Sequence, residues 1–313
     1  MEKIKVGVIG VGSMGKNHVR SYAALKHVCD LVGLYDLDQN RAKEMAKSYG
    51  VKSFSSIGEL LKEVDAVNIA TPTTTHYDIA LQAIEEGKHI LIEKPITNEI
   101  DEANEILKKA KEKKLIVQVG HIERFNPAIK ALPEMLKEEE IVAIDIQRMG
   151  PYDPRIDDTD VIQDLMIHDI DVVSSIIDSE IVKVNAFARR VASAEHMDFA
   201  VANYQTENEV IVTLTASRAT NKKVRKMSIT TEKSFIELDY LGRKITRTRR
   251  GNGDTNQNKQ REYEESYENE EEPLKMQLTH FVNSIANKTQ PLITGHDGLE
   301  ALKLIKLIQS KVY

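Results

Sequence analysis

The chain has 313 residues, 41% of them hydrophobic and 29% charged, with a formal net charge of −6. This is the composition of an ordinary soluble globular protein, long enough to form a core without disulfide or metal staples, and the single cysteine, Cys29, excludes an internal disulfide framework. No basic tract points to a nucleic-acid surface and no apolar run approaches the ~20 residues of a membrane span, so a cytoplasmic protein is expected.

Met1 leads into Lys3–Ile9, which reads as a strand and not as a leader segment. The first 120 residues then alternate short apolar runs with helical patterns. The runs fall at Val6–Gly10, Leu31–Asp36, Ala66–Ala70, Ile90–Glu93 and Leu115–Val119. Between them lie Lys16–Leu25, Arg41–Tyr49, His76–Glu86 and Glu99–Lys113, with apolar residues at helical spacing, as in Ile79, Ala83 and Ile84. Continuously apolar strands suit a parallel sheet covered on both faces. The alternation predicts a doubly wound α/β domain over residues 1–120.

Gly10-Val11-Gly12-Ser13-Met14-Gly15 joins the first strand to the first helix. A G-x-G-x-x-G match alone has little weight, but this context is the one its mechanism requires. Gly10 permits the tight turn, Gly12 lets the backbone approach a pyrophosphate, and Gly15 lets helix and strand pack closely. The amides and dipole of the helix N-terminus stabilise phosphate charge. Asp36 ends the second strand, where a carboxylate accepts from the ribose hydroxyls of NAD and repels the extra phosphate of NADP. Arg41 nearby leaves NADP open as an alternative. The expectation is a Rossmann domain that binds NAD.

Residues 121–313 follow a different pattern and are predicted to form a second, α+β domain. Asn126–Leu136 reads as a helix, Ile141–Arg148 as a strand, and Gly150–Arg155 as a loop with two prolines. Asp160–Ile177 is helical and apolar nearly all round, hence buried. On it Asp164, His168 and Asp171 share one face. Such a stripe must find partners: it borders a substrate cavity, or it holds a histidine for structure alone. Asp164 and His168 could supply two metal ligands, but no others are apparent and no metal is expected. Runs rich in β-branched residues, such as Val184–Ala188 and Val210–Thr215, predict a large, mainly antiparallel open sheet. Residues 249–272 have little to bury and read as an exposed loop or hairpin tip. Helices near Leu274–Asn287 and Asp297–Lys311 close the chain, with the option of packing back on the first domain.

Several landmarks remain: Ala70-Thr71-Pro72 with His76, Glu93-Lys94-Pro95, Gly120–Pro127, Asp164–Asp171 and the closing Pro291–Ala301. In this order, and over essentially the whole chain, they resemble the Gfo/Idh/MocA family of sugar and inositol dehydrogenases. The resemblance implies NAD held by Gly10–Gly15, Asp36, Thr71, Pro72, His76, Glu93 and Lys94, with a cis peptide at Pro95. It implies that Lys94 and His168 move protons and that Asp164, Arg124 and Asn126 lie near the substrate. Gly120–Pro127, Arg148–Pro151 and Asp164–Asp171 are similar in particular to the UDP-N-acetylglucosamine 3-dehydrogenases, which oxidise the C3 hydroxyl to a ketone. Arg148 and Arg155 would then offer cations at the cavity mouth for a diphosphate, with Lys222–Arg225 a further candidate. Two other readings stand beside this one: a dehydrogenase of inositol or another sugar, and an NAD-binding regulator without chemistry. The family also implies a homodimer or homotetramer built on the exposed sheet face.

Overall fold

The structure, a computed structural model, describes residues 3–153, 159–249, 261–266 and 272–312. The chain divides into two compact units, residues 1–125 with 271–302 and residues 126–270 with 303–313.

In the first unit β1 (Ile4–Ile9), α1 (Ser13–Ala24), β2 (Cys29–Tyr35), α2 (Gln39–Tyr49), β3 (Lys52–Ser53) and α3 (Ile57–Glu63) form one half. The other half is β4 (Ala66–Ile69), α4 (His76–Glu85), β5 (His89–Ile92), α5 (Ile100–Glu112) and β6 (Val117–Val119). The strands are all parallel, in the order β3-β2-β1-β4-β5-β6. This is the doubly wound sheet that the alternation predicts. β3 and α3 went unanticipated: two residues carry no periodicity, and α3 is seven residues started by the Ser56 hydroxyl on the Glu59 amide. The central strands are apolar because helices cover both their faces, and Val6, Val8, Ile9, Val67 and Ile69 are completely buried.

The second unit opens with α6 (Pro127–Leu136) and β7 (Ile141–Met149). A π-helical turn at Ile162–Met166 then runs into α7 (Ile167–Ile176), followed by β8 (Ile181–Arg189), β9 (Phe199–Thr206) and β10 (Ile211–Ser217). β11 (Val224–Thr231), β12 (Ser234–Asp239), β13 (Lys244–Arg249) and β14 (Arg261–Ser266) complete a sheet of order β14-β13-β12-β11-β7-β10-β9-β8. β7 and β10 run parallel and the other neighbours antiparallel. Alternation buries one face, with Ile144, Ile146, Val212 and Leu214 inside. α7 packs against β7 on that face.

The loop expected over 249–272 is corrected in part, since residues 261–266 form the edge strand β14, in register with β13. Backbone pairing and opposite charges, Lys244 with Glu264 among them, hold it where burial does not.

Two helices end the chain, α8 (Pro273–Asn287) and α9 (Gly295–Gln309). Leu274, Leu278, Phe281, Val282 and Ile285 of α8 join Val6, Val19 and Tyr22 in one core of the first unit. No described helix is long and apolar enough to cross a membrane. Phe281 is fully buried in that core, so Phe281→Ala should cost about 3–5 kcal/mol in urea unfolding. A loss under about 1 kcal/mol would mean that α8 is no part of the core.

Candidate functional site

The carboxyl ends of the parallel strands build one side of the site. After β1 the chain turns at Gly10, φ +86°, where a Cβ would stand 2.7 Å from the Ala70 carbonyl oxygen. At Gly15 a Cβ would stand 2.0 Å from the Gly10 oxygen, so α1 lies directly on the turn. Gly12 differs, because nothing lies within 4 Å of its Cβ position. It is the N-cap of α1, with no side-chain cap and no acidic residue in the first turn. The loop is thus open where the helix presents amides and positive dipole, which fits a diphosphate. Ser13 and Met14 are exposed beside it.

Val11 is buried, and its amide donates to Asp36 Oδ2 at 2.7 Å, while Asp36 Oδ1 accepts from the Asp38 amide at 2.8 Å. Val11 therefore ties the glycine loop to the end of β2. Each Asp36 oxygen keeps a lone pair for a ribose hydroxyl. Arg41 is turned to Asp38, 3.3 Å away.

Thr71 and Pro72 follow β4, and Thr71 accepts a hydrogen bond from the Thr75 hydroxyl at 2.8 Å. His76 is completely buried, with Nε2 3.0 Å from the Thr71 oxygen and Nδ1 3.0 Å from the Pro95 oxygen. It ties the Thr71 loop to the Lys94–Pro95 corner. Burial lowers its pKa, against the pull of the carbonyl bonds and of Glu93. At the end of β5, Glu93 Oε1 lies 2.6 Å from His18 Nε2 of α1. Burial alone would raise the Glu93 pKa, but the His18 hydrogen bond and the charges of His18, Lys94 and His76 hold it below the ordinary glutamate value. A Cβ at Gly120 would meet the Glu93 carboxyl at 2.9 Å, so only glycine leaves it room. Lys94 is half-buried, and its bond to Pro95 is cis, as expected.

Arg124 Nη2 lies 2.8 Å from Asp297 Oδ1, and Asp297 Oδ2 accepts from the Thr294 amide and hydroxyl at 2.7 and 2.6 Å. The Arg124 charge is thereby met within its own unit.

In the second unit, alternation along β7 carries Arg148 onto the buried face after Ile144 and Ile146. Its Nε lies 2.9 and 3.0 Å from the two Asp169 oxygens, and its Nη2 2.8 Å from one. With Arg148 4% and Asp169 1% exposed, Arg148 is no cation at an open mouth; this corrects the expectation. Its guanidinium also stands 5.4 Å from the Tyr240 ring centre, within cation–π range. Asp164, in the π-helical turn, accepts from Arg218 Nη2 at 2.9 Å. Asp171 is buried and His168 half-buried on α7. Asn126 caps α6 at the Ala128 amide, 3.1 Å, and donates to the Tyr240 carbonyl, 3.3 Å. Arg225 donates to the Met149 carbonyl at 2.5 Å, whereas Lys222 and Lys223 are exposed. Arg155 lies outside the described residues.

The N-terminal model of this family, an oxidoreductase family with an NAD-binding Rossmann fold, matches residues 4–121, and the GFO/IDH/MocA C-terminal domain matches residues 143–237. The chain belongs to the Gfo/Idh/MocA oxidoreductase family. A UDP-N-acetylglucosamine 3-dehydrogenase of Acidithiobacillus ferrooxidans is 37% identical over 260 residues, covering 81% of this chain and 79% of the relative. A solved structure of that dehydrogenase matches with TM-score 0.93 at 32% identity, covering 100% of this chain and 98% of the other. The scyllo-inositol 2-dehydrogenase (NAD+) of Bacillus subtilis is 26% identical over 315 residues, covering 95% of this chain and 90% of the relative. The cofactor of this Gfo/Idh/MocA protein is NAD, and the open loop at Gly12 with Asp36 behind it fits one.

His18, Asp169, Arg218 and Asp297 are the polar residues that the sequence reading missed. Asp169 and Arg148 had a legible signal, since a charge on an apolar helix and a charge at an inward strand position each demand a partner.

The Glu93 carboxylate should give the protein a pH signature. A carboxylate with a lowered folded pKa stabilises above its unfolded value of about 4.3, and that stability is lost as pH falls through the folded value. The stability advantage over Glu93→Gln in urea should therefore shrink between about pH 6 and about pH 3, and an unchanged advantage would contradict the assignment. Arg148→Met should cost about 3–5 kcal/mol by removing the arginine that meets the buried Asp169 charge. If Arg148 served the substrate instead, KM would rise with stability intact.

Proposed function

We propose that the protein oxidises a secondary hydroxyl of a sugar to a ketone with NAD, and that its substrate is UDP-N-acetylglucosamine, attacked at C3. The observation that carries this reading is the setting of Lys94. The lysine stands at the carboxyl end of β5, before a cis-proline, among the strand ends that include the glycine loop. Ligands of open α/β sheets bind beyond those ends. The choice of C3 and of the nucleotide sugar is supported by the similarity to the Acidithiobacillus enzyme.

The loop amides at Gly12 and the Asp36 carboxylate hold the cofactor, which supplies the two-electron acceptor. Lys94 Nζ, in its neutral form, takes the hydroxyl proton as hydride leaves the same carbon, so the alcohol loses two electrons and two hydrogens. His168 is the second proton carrier, since an imidazole both takes up and releases a proton. Asp164, oriented by Arg218, binds a sugar hydroxyl, and Arg124 and Asn126 support the site from their own hydrogen bonds. Phe187, Ile211 and Phe235, exposed on the outer face of the eight-stranded sheet, favour a homodimer or homotetramer.

A second reading is a dehydrogenase of free inositol. It is favoured by the ion pair of Arg148 with Asp169, which removes one candidate partner of a diphosphate.

Absorbance at 340 nm with NAD, a keto-product trap and a panel of UDP-sugars, inositol and glucose separates the readings. NAD reduction with UDP-N-acetylglucosamine alone is the expected result. Reduction only with a free polyol would discard the nucleotide sugar, and silence across the panel with NAD bound would favour a regulator. Lys94→Ala should lower kcat by about 10²–10⁴-fold with NAD affinity retained; near-normal turnover would remove Lys94 from its role.

A further inference from the structure

We propose that the first unit carries a second binding site, for a phosphate-bearing small molecule with an apolar or ring-shaped body, at the amino-terminal edge of its parallel sheet. A cavity of about 850 Å³ opens there, within the range of small-molecule sites. It lies where β5 and β6 begin, at the opposite strand ends from the glycine loop. His89, Lys111, Lys114, Lys288 and His296 contribute to its lining, and no carboxylate does. In a chain with 49 acidic and 43 basic residues, such a one-signed lining is a local departure. Leu107, Leu115 and Ile285 give the cavity an apolar floor. Gly295 lets the start of α9 close onto that floor, since a Cβ there would come 2.3 Å from Leu107 Cδ2.

The lysines of this cavity differ from their neighbours. Lys109 pairs with Glu105 and Lys113 donates to the Glu85 carbonyl. Lys111, Lys114 and Lys288 have no ion-pair or side-chain hydrogen-bond partner among the described residues. A phosphate would supply the missing partner.

Backbone conformation is a second, independent sign. Lys114 follows α5 at φ +56° and Lys288 caps α8 at φ +55°. After α2 and α4 the same left-handed task is done by Gly50 at φ +67° and Gly87 at φ +71°. Glycine takes this conformation without strain and a lysine does not. A positive side chain near a helix C-terminus also complements the helix dipole, yet a lysine in the preceding turn does so without the left-handed backbone. At both cavity positions strain is accepted and an ammonium group is gained, the pattern of a site that exchanges stability for binding.

The substitution that separates the two roles is Lys114→Gly with Lys288→Gly. The probe is trinitrophenyl-AMP, followed by its fluorescence on the whole protein saturated with NAD. The wild type should bind it at micromolar concentration, with displacement by AMP and not by adenosine. The double variant should bind at least tenfold more weakly, while its melting temperature holds or rises and NADH binding is unchanged. Equal affinity in the two proteins, or displacement by adenosine as effective as by AMP, would overturn the proposal. So would a wild type that shows no binding up to millimolar probe.

Discussion

Burying the Glu93 carboxylate at the end of β5 strips its hydration, at a cost of several kcal/mol, and the first unit is arranged to offset that cost. His18 meets the charge at 2.6 Å. His18 can do so only because Gly15 presses α1 onto Gly10, bringing the next turn of the helix under the end of β5. Gly120 leaves the volume that the carboxyl occupies. One buried charge thus locks the ends of β1, β5 and β6 together. His76 performs the matching service between the Thr71 loop and Pro95. Lys94 stands between these two ties, so its backbone is held with respect to the glycine loop before any ligand arrives. Such preorganisation is what a proton-transfer group requires, because small misplacements cost large factors in rate.

The second unit solves a related problem with arginine. Its sheet buries one face, and both β7 and the end of β10 direct an arginine to that face. The parallel register sets Arg148 beside Ala216, and Arg218 follows two residues later on the same side. Asp169 takes the first and Asp164 the second. Asp164 lies in the π-helical turn and Asp169 beyond it in α7, so two carboxylates five residues apart reach two different arginines. Such turns recur at functional sites because they redirect side chains that a regular helix would keep in line.

Much of the architecture was legible because it rests on periodicity. The parallel strands are apolar throughout, the helices repeat at three and four, and the glycines fall where turn and close packing need them. The failures share a cause. β3 is too short to show a period, and β14 is held by pairing and charge, which a search for buried faces does not detect. Of the candidate site, the residues were legible as motif positions, but what each one touches was not. The Val11 amide meets the Asp36 carboxylate while His76 and Asn126 meet backbone groups, and a motif position does not tell a group that contacts a ligand from one that holds the contacting group in place.

The same distinction bears on substrate choice. Recognition of a sugar ring or an inositol ring needs oriented hydroxyl partners, and a carboxylate fixed by an arginine, as Asp164 is by Arg218, serves either. The diphosphate is the charged part that separates the two, and it calls for positive charge not already committed. Arg148 is neutralised by Asp169 and Arg225 is held by the Met149 carbonyl. Exposed cations close in sequence are Lys222 and Lys223, in the connection between β10 and β11, and Lys226 in β11. On the proposed function, specificity for a nucleotide sugar would draw on that connection. Loops tolerate change better than the sheets they connect, and so relatives with this fold can act on inositols as well as on a nucleotide sugar.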